Sequence, residues 1–385
     1  VAGASASSPT HPGARLVGID VARCVALLGM VATHVLDART PAGDVAASQW
    51  LAGGRASALF AVLAGVSLAL VTGRRTPFAG RRRLRATRAV VVRAVLVGLV
   101  GLLLGELDTG LAVILTYYAV LFVLALPFLG LRARPLLVLA VGWAVLAPVV
   151  SHLVRPGLPD RGTASPALDQ LAEPGRLLSE LLLTGYYPAV PWLAYLLLGL
   201  ALGRLDLGSA RVAARLVGVG LAVAVGATLL SGLLTRDRFG AAELDRVATG
   251  MYGQTPTDDG WRWLLVVAPH STTPFDLLQT GGSAAVVVGL CLLLVAAVSA
   301  VAGPGERAVQ VLCGAGTMTL TLYSLHVVMR TDAVWPAEEP DSLVWHVLVL
   351  AWVGALYAAL DRSGPLERVV ALASRRAGGG TTGRG

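Results

Sequence analysis

Stretches of about 20 apolar residues, the length a helix needs to cross a bilayer, recur along this chain. They fall at 17–36, 51–72, 89–105, 111–129, 135–153, 187–203, 211–234, 276–302, 308–330 and 342–361. Backbone in hydrocarbon must satisfy its own hydrogen bonds, so runs of this length form helices. The expected fold is therefore all-α, a polytopic membrane helix bundle of about ten transmembrane helices. The balance of 55% hydrophobic against 14% charged residues suits no soluble core. Residues 1–14 are small and polar and read as a disordered N-terminal segment. Residues 15–370 read as one transmembrane domain, and 371–385 as a disordered cytoplasmic tail. The first span lacks a basic leader and a small-residue cleavage signal, so it reads as retained.

Arginine sets the expected orientation. All 31 basic residues are Arg, and Lys and Asn are absent, a composition that suggests a bacterial host. The run Arg74, Arg75, Arg81, Arg82, Arg83, Arg85, Arg88 and Arg93 is the strongest basic segment, which the positive-inside rule assigns to the cytoplasm. Ten spans then leave both termini cytoplasmic. The segregation is sharp: 21 Arg and 5 acids fall inside, 10 Arg and 18 acids outside. Two long outer connections, roughly 154–186 and 235–275, are rich in Pro, Gly, Asp and Thr. The net charge of +8 is thus a topology signal rather than a sign of nucleic-acid binding. The expected partners are membrane lipids, in a multi-pass protein of the bacterial cytoplasmic membrane. Cys24, Cys291 and Cys313 sit in apolar runs with no metal-ligand spacing, and no metal is expected.

Ionisable groups inside apolar spans are costly and usually face a bundle interior or a wet cavity. The first span carries Asp20 and Arg23 near one end and His34 near the other. Arg23 and His34, eleven residues apart, share one helical face and stand roughly 16 Å apart along the axis. Asp37 follows one turn on, where a carboxylate could tune the imidazole as a general base. The alternative is a structural histidine. The ninth span bears Thr319, Tyr323, His326 and Arg330 on one face, a polar stripe that either lines a substrate cavity or bonds neighbouring helices. Glu106 and Asp108, just past the third span, could orient an imidazole or bind a cationic substrate; a solvated turn would look the same. Arg55 opens the second apolar run, with Glu106 or Asp108 as candidate partners. The Arg-rich segment, Arg85 included, could hold the phosphates of coenzyme A or a nucleotide, with Arg88 and Arg93 at the start of the third span as the leading ligands. Topology and lipid attraction explain the same charges.

Several segments resemble the YeiB-like membrane proteins, a bacterial family grouped with heparan-alpha-glucosaminide N-acetyltransferase among transmembrane acyltransferases. Gly18-Ile19-Asp20-Val-Ala-Arg23 resembles the start of the family's first helix, and Gly54-Arg55-Ala-Ser-Ala-Leu-Phe60 its second. Gly185-Tyr186-Tyr187-Pro188-Ala-Val-Pro191-Trp192 resembles its motif before the sixth span, followed by Gly199 and Gly203-Arg204. Met318-Thr-Leu-Thr321-Leu-Tyr323-Ser324-Leu-His326 and Gly364-Pro365-Leu366-Glu367 resemble its late-helix and C-terminal signatures. The order of these short motifs over about 15–370 is more specific than any one of them.

The resemblance implies transfer of an acyl group, typically acetyl, from cytosolic acyl-CoA as co-substrate to an acceptor on the far side. It also implies a homodimer. The characterised acetyltransferase uses a far-side histidine after its first helix. Here the connection 37–50 has no histidine, and His34 takes a helix-end position instead, as in a more distant family of membrane acyltransferases. On this reading His34, His326 and Glu106 are the catalytic candidates. Asp37, Arg55, Asp108, Tyr187, Tyr323 and Arg330 would bind acceptor, and Arg23, Arg85, Arg88 and Arg93 the donor. The acceptor would be a hydroxyl or amine of an envelope glycan, lipid or secreted metabolite. A solute transporter or exporter, or a non-catalytic relative, would share the same bundle.

Overall fold

The structure is a computed structural model that describes residues 16–162, 165–301, 305–331 and 342–379. The expected N-terminal segment 1–14 lies outside the described residues. Fifteen α-helices follow one another among the described residues. The first five are α1 (Val17–Val35), α2 (Ala47–Ala52), α3 (Arg55–Val71), α4 (Gly80–Gly105) and α5 (Leu115–Ala125). Next come α6 (Ala133–Val154), α7 (Pro174–Ser179), α8 (Ala189–Gly203), α9 (Ala210–Thr235) and α10 (Ala241–Val247). The last are α11 (Pro274–Val301), α12 (Gly305–Leu312), α13 (Thr319–Met329), α14 (Leu343–Ala359) and α15 (Pro365–Ala377). No strand occurs among the described residues, and the protein is an all-α polytopic membrane bundle.

Six of these helical stretches are long and apolar enough to cross a membrane, and a seventh counts if the bent pair Pro174–Thr184 and Ala189–Gly203 is one span. Three shorter apolar helical segments, Leu115–Gly130, Thr319–Met329 and Leu343–Ala359, occupy the other expected spans. The expected boundaries shift where the backbone breaks. The second run turns at Gly54, whose φ of +70° only glycine adopts freely, so α2 and α3 meet at a kink. The ninth run is broken at Gly314–Thr317, where α12 gives way to a 3₁₀ turn before α13. The Arg-rich segment, expected as a loop, is the first third of α4. Arginine favours helix, and no Pro interrupts the stretch from Arg81 onward. The tail expected from 371 is helical as far as Ala377.

Small residues let the central helices touch backbone to backbone. On α8, Gly199 and Gly203 face Gly65 and Ala69 of α3. A Cβ on Gly65 would lie 2.8 Å from the Leu200 nitrogen and 2.9 Å from Gly199 Cα. This is the small-xxx-small packing of membrane helices, where dispersion replaces the hydrophobic drive. Gly220 of α9 and Gly282 of α11 meet in the same way. Helix α1 is the hub, with Ile19, Ala22, Leu27 and Val31 almost wholly buried against α3, α11, α13 and α14.

Arg204, which ends α8, ties several segments together. Its guanidinium donates to the carbonyls of Ala69, Arg74 and Leu129 and to the Thr72 hydroxyl, at 2.7–2.9 Å. At the opposite end, the long connections fold into a cap with its own small core of Phe239, Met251, Trp263, Val266 and Ala268. Arg262 stacks on Phe239 and pairs with Glu243 and Asp259, and Arg39 reaches Asp245 at 3.2 Å. The Arg262 guanidinium holds the Asp259 carboxyl below its usual range.

Candidate active site

A cavity of about 1160 Å³ opens between the Arg-rich end of α4 and α15 and runs into the bundle. Arg82, Arg85, Arg375 and Arg376 stand at its mouth. Ala86, Ala89, Arg93 and Val97 of α4 continue one wall at helical spacing, and Phe60, Leu63, Ala64 and Ser67 of α3 form another. Met30, Ile114, Tyr118 and Tyr323 line its inner reach. Few small ligands need more than about 1,000 Å³, so the space suits a long, two-ended molecule.

Inside the cavity Arg23 and Glu367 have defined partners. Arg23 donates to Asp20 at 2.8 Å and to Ser67 Oγ at 2.7 Å, so the Asp20–Arg23 motif is an intrahelical ion pair that also bridges to α3. Arg93 lies near the Phe122 ring, 5.8 Å from its centroid, and its buried Nε has no hydrogen-bond partner among the described residues. Glu367 accepts from the Leu320 and Thr321 nitrogens at 2.7 and 3.1 Å, and from the Thr321 hydroxyl. It thereby satisfies the free N–H groups that open α13. That contact gives a physical reason for the Gly364–Glu367 signature: a Cβ on Gly364 would sit 2.8 Å from both Met318 and Thr321 Oγ1.

One turn beyond Tyr323 lies a chain of three imidazoles. His34 Nδ1 is 3.1 Å from His326 Nε2, and His326 Nδ1 is 3.0 Å from His346 Nδ1. The first pair stacks with centroids 5.3 Å apart, and the second meets edge to face at 4.8 Å. His326 and His346 are fully buried, whereas His34 is only partly so. Arg330, which ends α13, acts electrostatically on both His34 and His326. Tyr323 receives the Ile114 N–H at 3.3 Å. Among the described residues no group of three or more His, Cys, Asp or Glu is disposed to hold a metal.

A fourth histidine, His270, belongs to the cap and acts electrostatically on His34. Its ring is stacked near Trp192 and Tyr252 and edge-on to Tyr187. Burial pushes the His270 imidazole down to about 4.

The structure sorts the sequence candidates into groups. His34, His326, Arg330 and Tyr323 come together, joined by His346, a residue the stripe on the ninth span did not flag. Arg23, Arg85 and Arg93 line the cavity, but Arg88 points away from it and is exposed. Arg82, Arg375 and Arg376 take its place at the mouth. Glu106 does not orient an imidazole: its carboxylate accepts from the Leu168 nitrogen at 2.6 Å. With Asp108 it lines a separate cavity of about 420 Å³, closed by Ser165 and Tyr186. Asp37 is exposed, and the Nδ1 of His34 faces His326 rather than a carboxylate. Arg55 donates to the Trp50 carbonyl at 2.6 Å instead of pairing with Glu106 or Asp108. Tyr187 is buried against Tyr117, Trp192 and His270.

The family profile for the heparan-alpha-glucosaminide N-acetyltransferase catalytic domain matches residues 15–230, more than half of the chain. The chain belongs to that family. The match takes in His34, the arginines of α4 and the α3–α8 contact. No curated relative matches the chain. Membership and the apolar helices together make this a multi-pass membrane protein of an N-acetyltransferase family.

Proposed function

We propose that the protein transfers an acyl group, typically acetyl, from coenzyme A to an amine or hydroxyl at the opposite membrane face. The observation that carries this reading is the cavity's course. It begins at Arg82, Arg85, Arg375 and Arg376 and reaches Met30 and Tyr323, each about one turn short of His34 and His326. Guanidinium groups suit the donor's phosphates. The apolar α3–α4 walls suit the pantetheine arm, and the buried Arg93 Nε can donate to an amide or thioester oxygen. By the positive-inside argument the mouth faces the cytoplasm, and the acceptor arrives from the cap side.

In this reading His34 is the general base. It takes a proton from the acceptor nitrogen or oxygen as that atom attacks the thioester carbon. The carbon–sulfur bond breaks, and the proton that His34 took passes to the departing thiolate, which leaves as the thiol and returns His34 to its neutral form. Tyr323 supports the carbonyl oxygen. The acceptor class is an envelope glycan, lipid or secreted metabolite bearing an amine or hydroxyl, and the host membrane is a bacterial cytoplasmic membrane.

The test uses the full chain in proteoliposomes with radiolabelled acetyl-CoA outside and glucosamine or an envelope extract inside. Label should appear in the acceptor with release of free CoA thiol, and His34→Ala should abolish both. Transfer that persists undiminished in His34→Ala would overturn the assignment.

A further inference from the structure

We propose that His346 is a positioning residue that fixes the protonation pattern of His34 through His326. The inference rests on His34 acting as the base, and it concerns how a neutral imidazole is kept ready for that task. A neutral ring has one N–H and one lone pair, so each hydrogen bond it makes decides what its other nitrogen can do.

His34 Nδ1 is occupied by His326, which leaves Nε2 for the acceptor. For Nε2 to accept a proton, the resting hydrogen of His34 must sit on Nδ1 and be donated to His326 Nε2. His326 Nε2 is then an acceptor, so the hydrogen of His326 sits on Nδ1. There it is donated to His346 Nδ1, 3.0 Å away. His346 must therefore accept at Nδ1 and carry its own hydrogen on Nε2. One choice at the reacting nitrogen fixes all three rings.

The converse makes His346 matter. Without an acceptor at its Nδ1, His326 is free to carry its hydrogen on Nε2. That hydrogen then points at His34 Nδ1 and drives the His34 hydrogen onto Nε2, where it blocks the base. His326 and His346 are fully buried, so water cannot substitute readily as the missing acceptor. Arg330 from α13 and His270 from the cap are the other groups that act on this chain of rings. The chain plays the part of the orienting third group behind a catalytic base, built from imidazoles rather than a carboxylate.

Three substitutions at 346 test the inference, each assayed with acetyl-CoA and a fixed acceptor. Asn places an amide oxygen where Nδ1 stood, so His346→Asn keeps the acceptor. Ala removes it, and Leu fills the space without it. His346→Ala and His346→Leu should each lower kcat at least about tenfold with an unchanged KM for acetyl-CoA. His346→Asn should remain within about threefold of the parent. Melting temperatures would identify any variant that fails to fold. Unchanged kcat in His346→Ala, or recovery by Leu equal to that by Asn, would overturn the positioning role. Loss of activity in His34→Ala together with full activity in His346→Ala would retain the base and reject the relay. Full activity in His34→Ala would reject the underlying reading itself.

Discussion

The contact between α3 and α8 offers the sharpest test of how the bundle is held. The perturbation is Gly199→Ala, one methyl group added to a buried helix. In an exposed helix this change is stabilising by up to about 1 kcal/mol, because alanine costs less backbone entropy than glycine. At position 199 the new Cβ would overlap the Val62 carbonyl oxygen and stand 2.9 Å from Gly65 Cα. Both obstacles are backbone, so no side chain can swing aside. The helices must separate, which also loosens Gly203 against Ala69. Overpacking of this kind costs about 1–3 kcal/mol, enough to reverse the propensity gain. The control is Gly142→Ala on the exposed face of α6, where no atom lies within 4 Å of the added carbon. Thermal unfolding in one detergent should show Gly199→Ala melting below the parent and Gly142→Ala at or above it. Because α3 supplies Phe60, Leu63, Ala64 and Ser67 to the cavity, the KM for acetyl-CoA should rise in Gly199→Ala alone. Equal melting temperatures for the two variants would refute the close-packing account.

Two further outcomes follow from the site and the cap. Arg85→Ala should raise the KM for acetyl-CoA several-fold, whereas Arg88→Ala, three residues along the same helix, should leave it unchanged; steady-state kinetics at fixed ionic strength would distinguish them. His270 is held near 4 in the folded protein against an ordinary 6.5, so the unfolded chain binds the extra proton between those values and stability falls as pH is lowered from 6.5 towards 4. The loss is of order 1–3 kcal/mol, and His270→Asn, which tolerates the left-handed backbone there, should melt with a shallower pH dependence over that window.

Much of the fold was written in hydrophobicity, because a helix in lipid announces itself by length. Ten apolar runs correspond to helical segments of the structure, although Leu115–Gly130, Thr319–Met329 and Leu343–Ala359 are too short to pass a length criterion alone. Breaks were harder to foresee. Gly54 and Gly314 look like the many other glycines of these spans, and only packing distinguishes a kink from a close contact. Of the residues that the structure gathers around the cavity and the imidazoles, periodicity singled out His34, Arg23 and the Tyr323–His326–Arg330 stripe, since these share helix faces. It missed His346, a lone imidazole in an apolar span, although the cost of burying any ionisable group was already a signal. It also grouped Arg88 with Arg85. Three residues turn a helix by about 300°, and that residual angle takes Arg88 off the cavity wall. The carboxylates are placed by a different relation: Glu106 and Asp108 line a separate cavity away from the three imidazoles, which only tertiary structure sets.

The Glu367 bond to the start of α13 has a consequence for how the protein is made. Chains are synthesised from the N-terminus, and segments that emerge early begin to assemble first. Helices α1, α3 and α4 can therefore insert and pair while the C-terminal residues are still inside the ribosome. Yet the helix that presents His326 gains its capping carboxylate only when Glu367 appears, and Arg375 and Arg376 join the mouth of the cavity later still. Maturation of the site thus waits on the segment that carries Glu367. A nascent chain stopped before residue 364 would sit in the bilayer with most of its bundle formed and the cavity beside α4 still open along one side.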